Sequence, residues 1–555
     1  MAAEQETSGA SALATIRVPV LVVGAGPVGL ATALELGWRG IGTLVIDREA
    51  DQAAAINVHP RASAVTPRTM EMCRRWGVSD AVRQAGFPRD YEPNVVFCTT
   101  LDGPTLFVQR FESMAARRPL EQSPEGRVRC PQIWFDPILE RGLAQYPSVR
   151  LMRGCQLESF VDEGQAVRAV IADLATGARH AVVCDYMVAC DGPTSAVREQ
   201  LGIGAAGKGT LSYSINAVLD IPDFFSHHDK GQAERYLFID GRGTWANLTV
   251  IDGRTRWRFT LTGSEEALDR ASVDMPAQIR AACGQDLPFT IVAIAPWRRR
   301  QAVAKRFRAG RVFLAGDAAH TIPPNLGMGM NTGVGDAFDL GWKIEAMLRG
   351  WGGPRLLDTY ESERRPVAVH VAAESTKAYQ RWMLTSDDHH LVTDPGEAGR
   401  AARARVSAMM AAALPHGWDT LGLQLGYRYD DSPIVVPDGS AAPAANDDLQ
   451  TYVQTARPGA RAPHAWLADG RSTLDLFGRG FTLLRFAVRD AGELLQAARA
   501  RRVPVEVVDI GDAAVRALYR ADLVLVRPDG HVAWRGDALP DAAGSGALLD
   551  VVRGA

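Results

Sequence analysis

None of the seven cysteines sits in a C-x-x-C pair, and none occurs after Cys283. That spacing excludes a dithiol redox centre. An odd count without a framework spacing points to reduced thiols and a cytoplasmic chain. No stretch of 18 apolar residues occurs, so no transmembrane helix is expected. Surplus charge is also missing. The 61 Lys and Arg face 64 Asp and Glu, a net of −3, which gives no electrostatic reason to expect nucleic acid or a membrane surface as partner. Residues 1–15 hold acids but no basic n-region, which reads as a disordered tail and argues against a signal peptide. With 46% hydrophobic and 23% charged residues, the composition is that of a soluble globular protein. At 555 residues, two or three domains are expected.

Glycine is where the information lies. Val18-Pro19-Val20-Leu21-Val22-Val23 is too short and β-branched for a helix, and it delivers Gly24-Ala25-Gly26-Pro27-Val28-Gly29. Leu30 to Leu36 then reads as a helix closing at Gly40, and a second apolar run, Thr43 to Ile46, ends at Asp47. Strand, glycine turn, helix, strand and acid form the context of a dinucleotide fold. Glycine lets backbone approach a pyrophosphate whose charge sits on a helix N-terminus. Asp47, 18 residues beyond Gly29, can accept from a ribose diol. A tight βα turn with no ligand is the plain alternative.

Two further signatures follow in order. The apolar run Tyr186 to Cys190 delivers Asp191-Gly192, and Gly310 to Ala315 delivers Gly316-Asp317-Ala318-Ala319-His320. After the latter comes Pro323-Pro324-Asn325-Leu326-Gly327-Met328-Gly329-Met330-Asn331, with a long helical stretch predicted from Thr332. A glycine-rich loop entering a helix again offers backbone N–H groups and a positive dipole end. Asp191-Gly192 in isolation reads equally well as an ordinary turn.

At these residues the chain resembles the class A flavoprotein aromatic hydroxylases. The resemblance is greatest to the subgroup of 2,4-dichlorophenol monooxygenase, 3-(3-hydroxyphenyl)propionate hydroxylase and polyketide-tailoring hydroxylases. His59-Pro60-Arg61-Ala62, Arg68-Thr69-Met70-Glu71, Gln132, Trp342-Lys343 and Tyr360 to Pro366 fall where that family has similar residues. The resemblance implies FAD, with NADPH or NADH as transient reductant and O2 as cosubstrate. It also implies hydroxylation of a small aromatic, phenolic substrate through a flavin C4a-hydroperoxide. Gly24, Gly26, Pro27 and Gly29 would hold the pyrophosphate, and Asp47 with Arg48 the ribose side. Arg61 and Gln132 would contact the pyrophosphate and ribityl region, and Leu157 counts among the cofactor positions. Asp191 and Gly192 would serve FAD and the passing nicotinamide, and Gly316 and Asp317 the ribityl chain. Backbone from Gly327 through Met328, Gly329 and Met330 to Asn331 would lie along the isoalloxazine. Pro324 would present its carbonyl there, and His59 could accept a phenolic proton. No metal is implied. The chain departs from the family at Leu326, where Gly is common, Gly335 (Gln), Asp339 (Asn) and Asp47 (often Glu).

The fold expected is α/β (α+β): a discontinuous Rossmann-like FAD-binding domain, an inserted antiparallel-sheet substrate domain and a C-terminal thioredoxin-like domain. The FAD-binding parts are placed at 16–203 and 292–400. Residues 204–291 carry alternating runs, Ser212–Leu219, Ala246–Ile251 and Arg256–Leu261, that suggest an antiparallel sheet with one face covered. On that sheet Tyr213, Trp245 and Trp257 are the candidate pocket lining, with aromatic core packing as the plain alternative. Residues 401–449 read as a helical segment and linker, and 450–555 as a terminal domain with strands near 482–486, 505–509 and 523–526. Without C-x-x-C, that domain is expected to serve a structural or dimerising role, with a homodimer as one outcome. A Baeyer–Villiger or epoxidising oxygenase, or a flavin reductase-type oxidoreductase, would share every flavin signature.

Overall fold

The computed structural model describes residues 13–51, 62–264, 266–267, 269–383, 386–414, 420–441 and 449–555. Three large sheets and a two-stranded pair, 64–65 with 128–129, organise them. The first runs in the order 308–309, 312–314, 179–189, 14–23, 43–47, 149–153, with 155–162 and 167–173 attached beside 179–189. Its central strands are parallel: Ala14–Val23 lies between Thr43–Asp47 and Arg179–Ala189. Val20 to Val22, Leu44 to Ile46, Met187 to Ala189 and Val312 to Leu314 are all buried, as strands covered on both faces must be. Pro27 opens the helix Pro27–Trp38, where a missing N–H costs nothing. Gly40, at φ +71°, closes it. The helix Gly329–Leu348 packs against it.

The second sheet is larger than the alternation predicts. Its eight strands run in the order 320–321, 290–304, 205–220, 256–264, 243–250, 235–240, 95–98, 105–109. The sheet therefore passes both expected boundaries. Thr290–Ala304 pairs with Ala205–Asp220 over most of its length, and Val95–Cys98 joins parallel to Arg235–Asp240. Backbone pairing demands partners for every buried N–H and C=O, and a long strand past one boundary and a short one far away in sequence supply them. One face of the sheet is covered by Phe224, Met275 and Ile279.

The third sheet, order 505–509, 481–485, 523–526, 532–536, has one parallel pair and two antiparallel pairs. Helices Gly492–Ala500, Ala513–Tyr519 and Ala542–Val552 accompany it. The predicted turn at Pro528-Asp529-Gly530 forms, with Gly530 at φ +79° and its N–H on the Arg527 carbonyl at 2.9 Å. This unit packs on the body. Phe481 meets Trp342 and Trp351 edge-on, with ring centroids 6.1 Å apart in both cases. The start of the expected linker is fixed too: Ile434 is buried, and Val436 N–H donates to the Ala533 carbonyl at 2.9 Å. Among the described residues, no helix is long and apolar enough to cross a membrane.

Candidate active site and cofactor cradle

Folding brings the three glycine signatures to one place. Gly24 takes φ +100°, and a Cβ there would stand 2.4 Å from the Cys190 carbonyl oxygen, so the first signature rests against the second. A Cβ on Gly29 would lie 1.8 Å from the Gly24 oxygen. The third signature closes on the first helix, because Val28 touches both Gly316 and Gly333, where added Cβ atoms would fall 2.8 and 2.5 Å from it. Arg198, just past Asp191-Gly192, donates to the Ala318 carbonyl at 2.8 Å and ties the second signature to the third.

Gly26 behaves differently. It is extended (φ −72°) at the helix N-cap, and a Cβ there would meet nothing within 4 Å. Open space lies before a helix N-terminus whose first-turn amides have no intrahelical partner, which is a cradle for an anion. Asp47 closes its side by accepting from Ala25 N–H at 2.5 Å and from Glu49 N–H at 2.8 Å. Arg48 is exposed beside Glu49. Asp191 accepts from Val197 N–H with Oδ2 while its buried Oδ1 has no hydrogen-bond partner. An open glycine cradle and an orphaned buried acceptor fit a dinucleotide such as FAD. Gln132 N–H donates to the Ala62 carbonyl at 2.9 Å and its Nε2 to Asp136 at 3.0 Å, and half-buried Leu157 packs beside the first core. His59 and Arg61 lie outside the described residues.

The loop after Gly316-Asp317 is held by His320, Arg364 and Asn331 together with Asp336, the one of them that the sequence reading passed over. Asp336 Oδ2 accepts from Gly316 N–H at 3.1 Å and meets His320 Nε2 at 2.6 Å. Its Oδ1 accepts from Arg364 Nε at 2.9 Å. Burial pushes the Asp336 carboxyl up, but His320 and Arg364 outweigh it and hold it below the usual carboxylate range. Asn331 pins the other end. Its Oδ1 accepts from Thr66 N–H and the Thr69 hydroxyl at 3.0 and 2.7 Å, and its Nδ2 donates to the Ala64 and Gly327 carbonyls at 3.0 and 2.7 Å. The side chain is spent on the protein, which leaves only its backbone for a ligand. Asp336→Ala strands buried Arg364 and His320, at about 3–5 kcal/mol. Urea unfolding is expected to show that loss together with low flavin content. An unchanged midpoint in a fully yellow variant would refute the role.

The departures from the family pattern acquire reasons here. A Cβ on Gly335 would lie 2.8 Å from an Arg364 amino group, so glycine admits the guanidinium that holds Asp336. Leu326 is buried against a cluster that includes Val367, Val371 and Leu423. Asp339 binds Lys343 Nζ at 2.7 Å. Asp339, Glu363 and Asp529 converge as three carboxylates, but Lys343 and Arg527 stand among them, so ammonium and guanidinium take the place a metal ion would need.

The substrate-facing side of the second sheet is not the aromatic one. Trp257 is fully buried against Phe224, with centroids 4.1 Å apart, and Trp245 packs by Phe238; both belong to the core on the far face. Ser212 accepts from Arg299, so alternation turns Tyr213 to that far side as well. Trp257 and Trp245 thus pack in a core, and none of the three expected pocket residues lines the cavity on the polar face. The pocket there is lined by Arg235, Asn247, Thr262 and Arg299 from the sheet, by Pro324 and Asn325, and by Tyr379 and Trp382. In 256–262 the apolar set Trp257, Phe259 and Leu261 alternates with Arg258, Thr260 and Thr262. That signal was present, and of the polar set Thr262 lines the cavity where the pattern alone suggests water. The Pro324 carbonyl already accepts Gly327 N–H at 2.9 Å, which leaves its second lone pair for a ligand.

The comparisons agree with this geometry. Residues 17–375 match the family described as FAD binding domain, and 455–555 match the one described as aromatic-ring hydroxylase, C-terminal. A putative polyketide hydroxylase of Streptomyces halstedii is 34% identical over 94% of this chain and 93% of its own length. The solved structure of chromopyrrolic acid-soaked RebC with bound 7-carboxy-K252c is 39% identical with a TM-score of 0.88, covering 98% of this chain and 100% of that one. The ternary complex of aklavinone-11 hydroxylase with FAD and aklavinone is 30% identical with a TM-score of 0.80, covering 97% and 99%. On these matches the chain belongs to the FAD-dependent aromatic-ring hydroxylases, which are flavoprotein monooxygenases.

Proposed function

We propose that this enzyme hydroxylates a fused, polycyclic phenolic ring, with NADPH or NADH as transient reductant and O2 as cosubstrate. The observation that carries the reading is the pocket where the Pro324-Asn325 turn meets the polar face of the sheet. The similar proteins named above act on or hold polycyclic compounds, among them aklavinone and 7-carboxy-K252c.

FAD, when bound, takes electrons from the nicotinamide and supplies the activated oxygen that enters the ring. The chain's part is placement and electrostatics. Gly24, Gly26, Pro27 and Gly29 receive the pyrophosphate, Asp47 and Arg48 the adenosine ribose, and Gln132 and Leu157 serve the cofactor beside them; for Arg61, outside the described residues, the proposed role is the pyrophosphate contact that the family resemblance implies. Asp191, Gly192, Gly316 and Asp317 lie along the ribityl side. Backbone from Gly327 to Asn331 enters the helix Gly329–Leu348, whose positive end favours negative charge on a reduced ring system. Pro324 orients the substrate, His59 accepts the phenolic proton, and Trp382 and Tyr379 exclude water from one wall. For the terminal unit, the strand order second, first, third, fourth, with one parallel pair, supports a thioredoxin-like fold in a structural role.

The test is NAD(P)H oxidation by the FAD-loaded enzyme over a panel of one- to four-ring phenols. Stimulation by the larger phenols, with a new aryl hydroxyl in the product by NMR, is expected. An ester from ring expansion would establish the Baeyer–Villiger alternative, and oxidation without any oxygenated product the reductase one.

A further inference from the structure

Two arginines line the pocket beside the Pro324-Asn325 turn, and their surroundings differ. Arg235 has an acid to answer it: Glu234 acts on it more strongly than any neighbouring arginine does. That acid also holds Arg129 at 2.6 Å. Arg299, from the strand Thr290–Ala304, has neutral partners instead. It donates to the Ser212 hydroxyl at 2.8 Å, and its guanidinium lies 4.1 Å from the Tyr379 ring centroid and 5.0 Å from that of Trp297. Burial pulls the guanidinium below its usual range, and Tyr379 opposes the fall; among the described residues no carboxylate does. The other charges that feel Arg299 are Arg235 and Arg258, both cations.

The pocket also holds polar atoms with nothing to bind. Arg299 Nε is buried and has no hydrogen-bond partner. Thr262 Oγ1 and Asn325 Oδ1, from the same lining, share that condition. Folded interiors leave few such atoms, so their meeting at one pocket marks where the polar groups of a ligand sit. Electrophilic oxygen enters an electron-rich ring, and a phenol is far richer once ionised. A cation within about 4–6 Å of a phenolic oxygen favours the ionised form, by roughly 1–3 pKa units. Arginine suits that place, because its delocalised charge persists where a buried lysine readily gives up its proton. Two ring faces keep the guanidinium in position without neutralising it.

We propose that Arg299 binds the phenolic oxygen of the substrate and holds it as the phenolate, which makes it a catalytic residue of this enzyme. This rests on the reading of that pocket as the substrate site. The step is an ionisation: the O–H bond breaks, its electron pair stays on the oxygen, and the proton leaves in equilibrium with solvent. Arg299 remains a cation throughout. Asn325 Oδ1 and Thr262 Oγ1 serve the other polar substituents of the ring.

The experiment uses the FAD-loaded full-length enzyme with hydroxynaphthalenes and hydroxyanthraquinones, each paired with its methyl ether, which cannot ionise. A phenolate absorbs at longer wavelength than its phenol, so difference spectra over a pH series read the ionisation midpoint of the bound compound. At least one phenol is expected to ionise about one unit or more below its midpoint in water. Arg299→Met and Arg299→Gln should cut the ionised fraction about tenfold or more, while the methyl ether binds as it does to the parent. Arg299→Lys, which keeps the charge, should hold most of the shift, and it serves where a neutral variant fails to fold. Bound phenols that all ionise no lower than in water overturn the assignment. So does a shift that survives both neutral variants, a shift that the lysine variant loses as fully as they do, or equal weakening of phenol and ether. If no phenol binds, the reading of the pocket as the substrate site falls and takes the assignment with it. If phenols bind ionised but none gains oxygen, the proposed substrate class falls and the Arg299 site stands. If phenols are hydroxylated without any shift, only the Arg299 assignment falls.

Discussion

Replacing Gly26 by alanine is expected to leave a folded protein that no longer holds FAD. The reason is the asymmetry among the glycines of the first signature. A methyl on Gly24 or Gly29 would strike backbone at 2.4 or 1.8 Å, so those substitutions damage the protein itself. Gly26 has φ −72°, which alanine adopts freely, and no protein atom lies within 4 Å of its Cβ. The added methyl therefore intrudes only on whatever fills the space before the helix. Overpacking of that kind costs about 1–3 kcal/mol, or roughly 10- to 100-fold in affinity. Circular dichroism and the unfolding midpoint of the FAD-free protein should match the parent, while flavin titration shows the loss. A G26A protein that purifies fully yellow with parental FAD affinity would put the pyrophosphate elsewhere.

Arg527→Ala is expected to destabilise the whole enzyme by about 3–5 kcal/mol, the usual result of removing one partner from a buried ionic cluster. Arg527 is fully buried, donates to Glu363 Oε2 at 2.8 Å and Asp529 Oδ2 at 2.5 Å, and stands 5.3 Å from the Trp342 ring. Lys343 supplies the second cation, at 2.6 Å from Glu363. Three acids meet two cations here. Burial raises Asp339 well above the usual range, Lys343 and Arg527 oppose the rise and Glu363 and Asp529 add to it, so of the three acids Asp339 is the one that favours the protonated form. Burial drives His531 down to about 4, so it is neutral. Without Arg527 two carboxylates face one cation in a site closed to water. Truncation after Pro437 removes Arg527, Arg461 on Glu71, and Phe481 on Trp342 together. The truncated chain is expected to aggregate or lose its flavin, a stronger outcome than the change of solubility or assembly anticipated for a separate appendage. Urea unfolding of R527A and size exclusion of the truncated chain check both. A parental midpoint for R527A, or a monodisperse truncated chain with bound flavin, would show the terminal unit to be energetically separate.

Much of the fold was legible because local rules and tertiary packing agree in it. Short β-branched runs became central parallel strands, Pro27 and Gly40 bounded the first helix, and Pro528-Asp529-Gly530 made its turn. The glycine signatures and Asp47 could be read in order because each has a backbone reason to be where it is. The long helix begins at Gly329, three residues before the predicted start, since a glycine-rich loop conceals where helical dihedrals set in.

What the sequence by itself determined is the cofactor cradle and the chemistry class, since both depend on contiguous residues: a glycine turn, a strand before it, a helix after it. Tertiary structure alone decided the substrate side. Alternation in 256–262 defines two faces but not which one meets the cavity, and that depended on strands 95–98 and 290–304 joining the sheet from outside the inserted segment. It also decided how the loop after Gly316 is fixed, because Asp336 and Arg364 meet across 28 residues of chain. Only the folded chain shows that 450–555 is bound to the body through Arg527 and Arg461, because buried charges reveal their partners only once they are desolvated together.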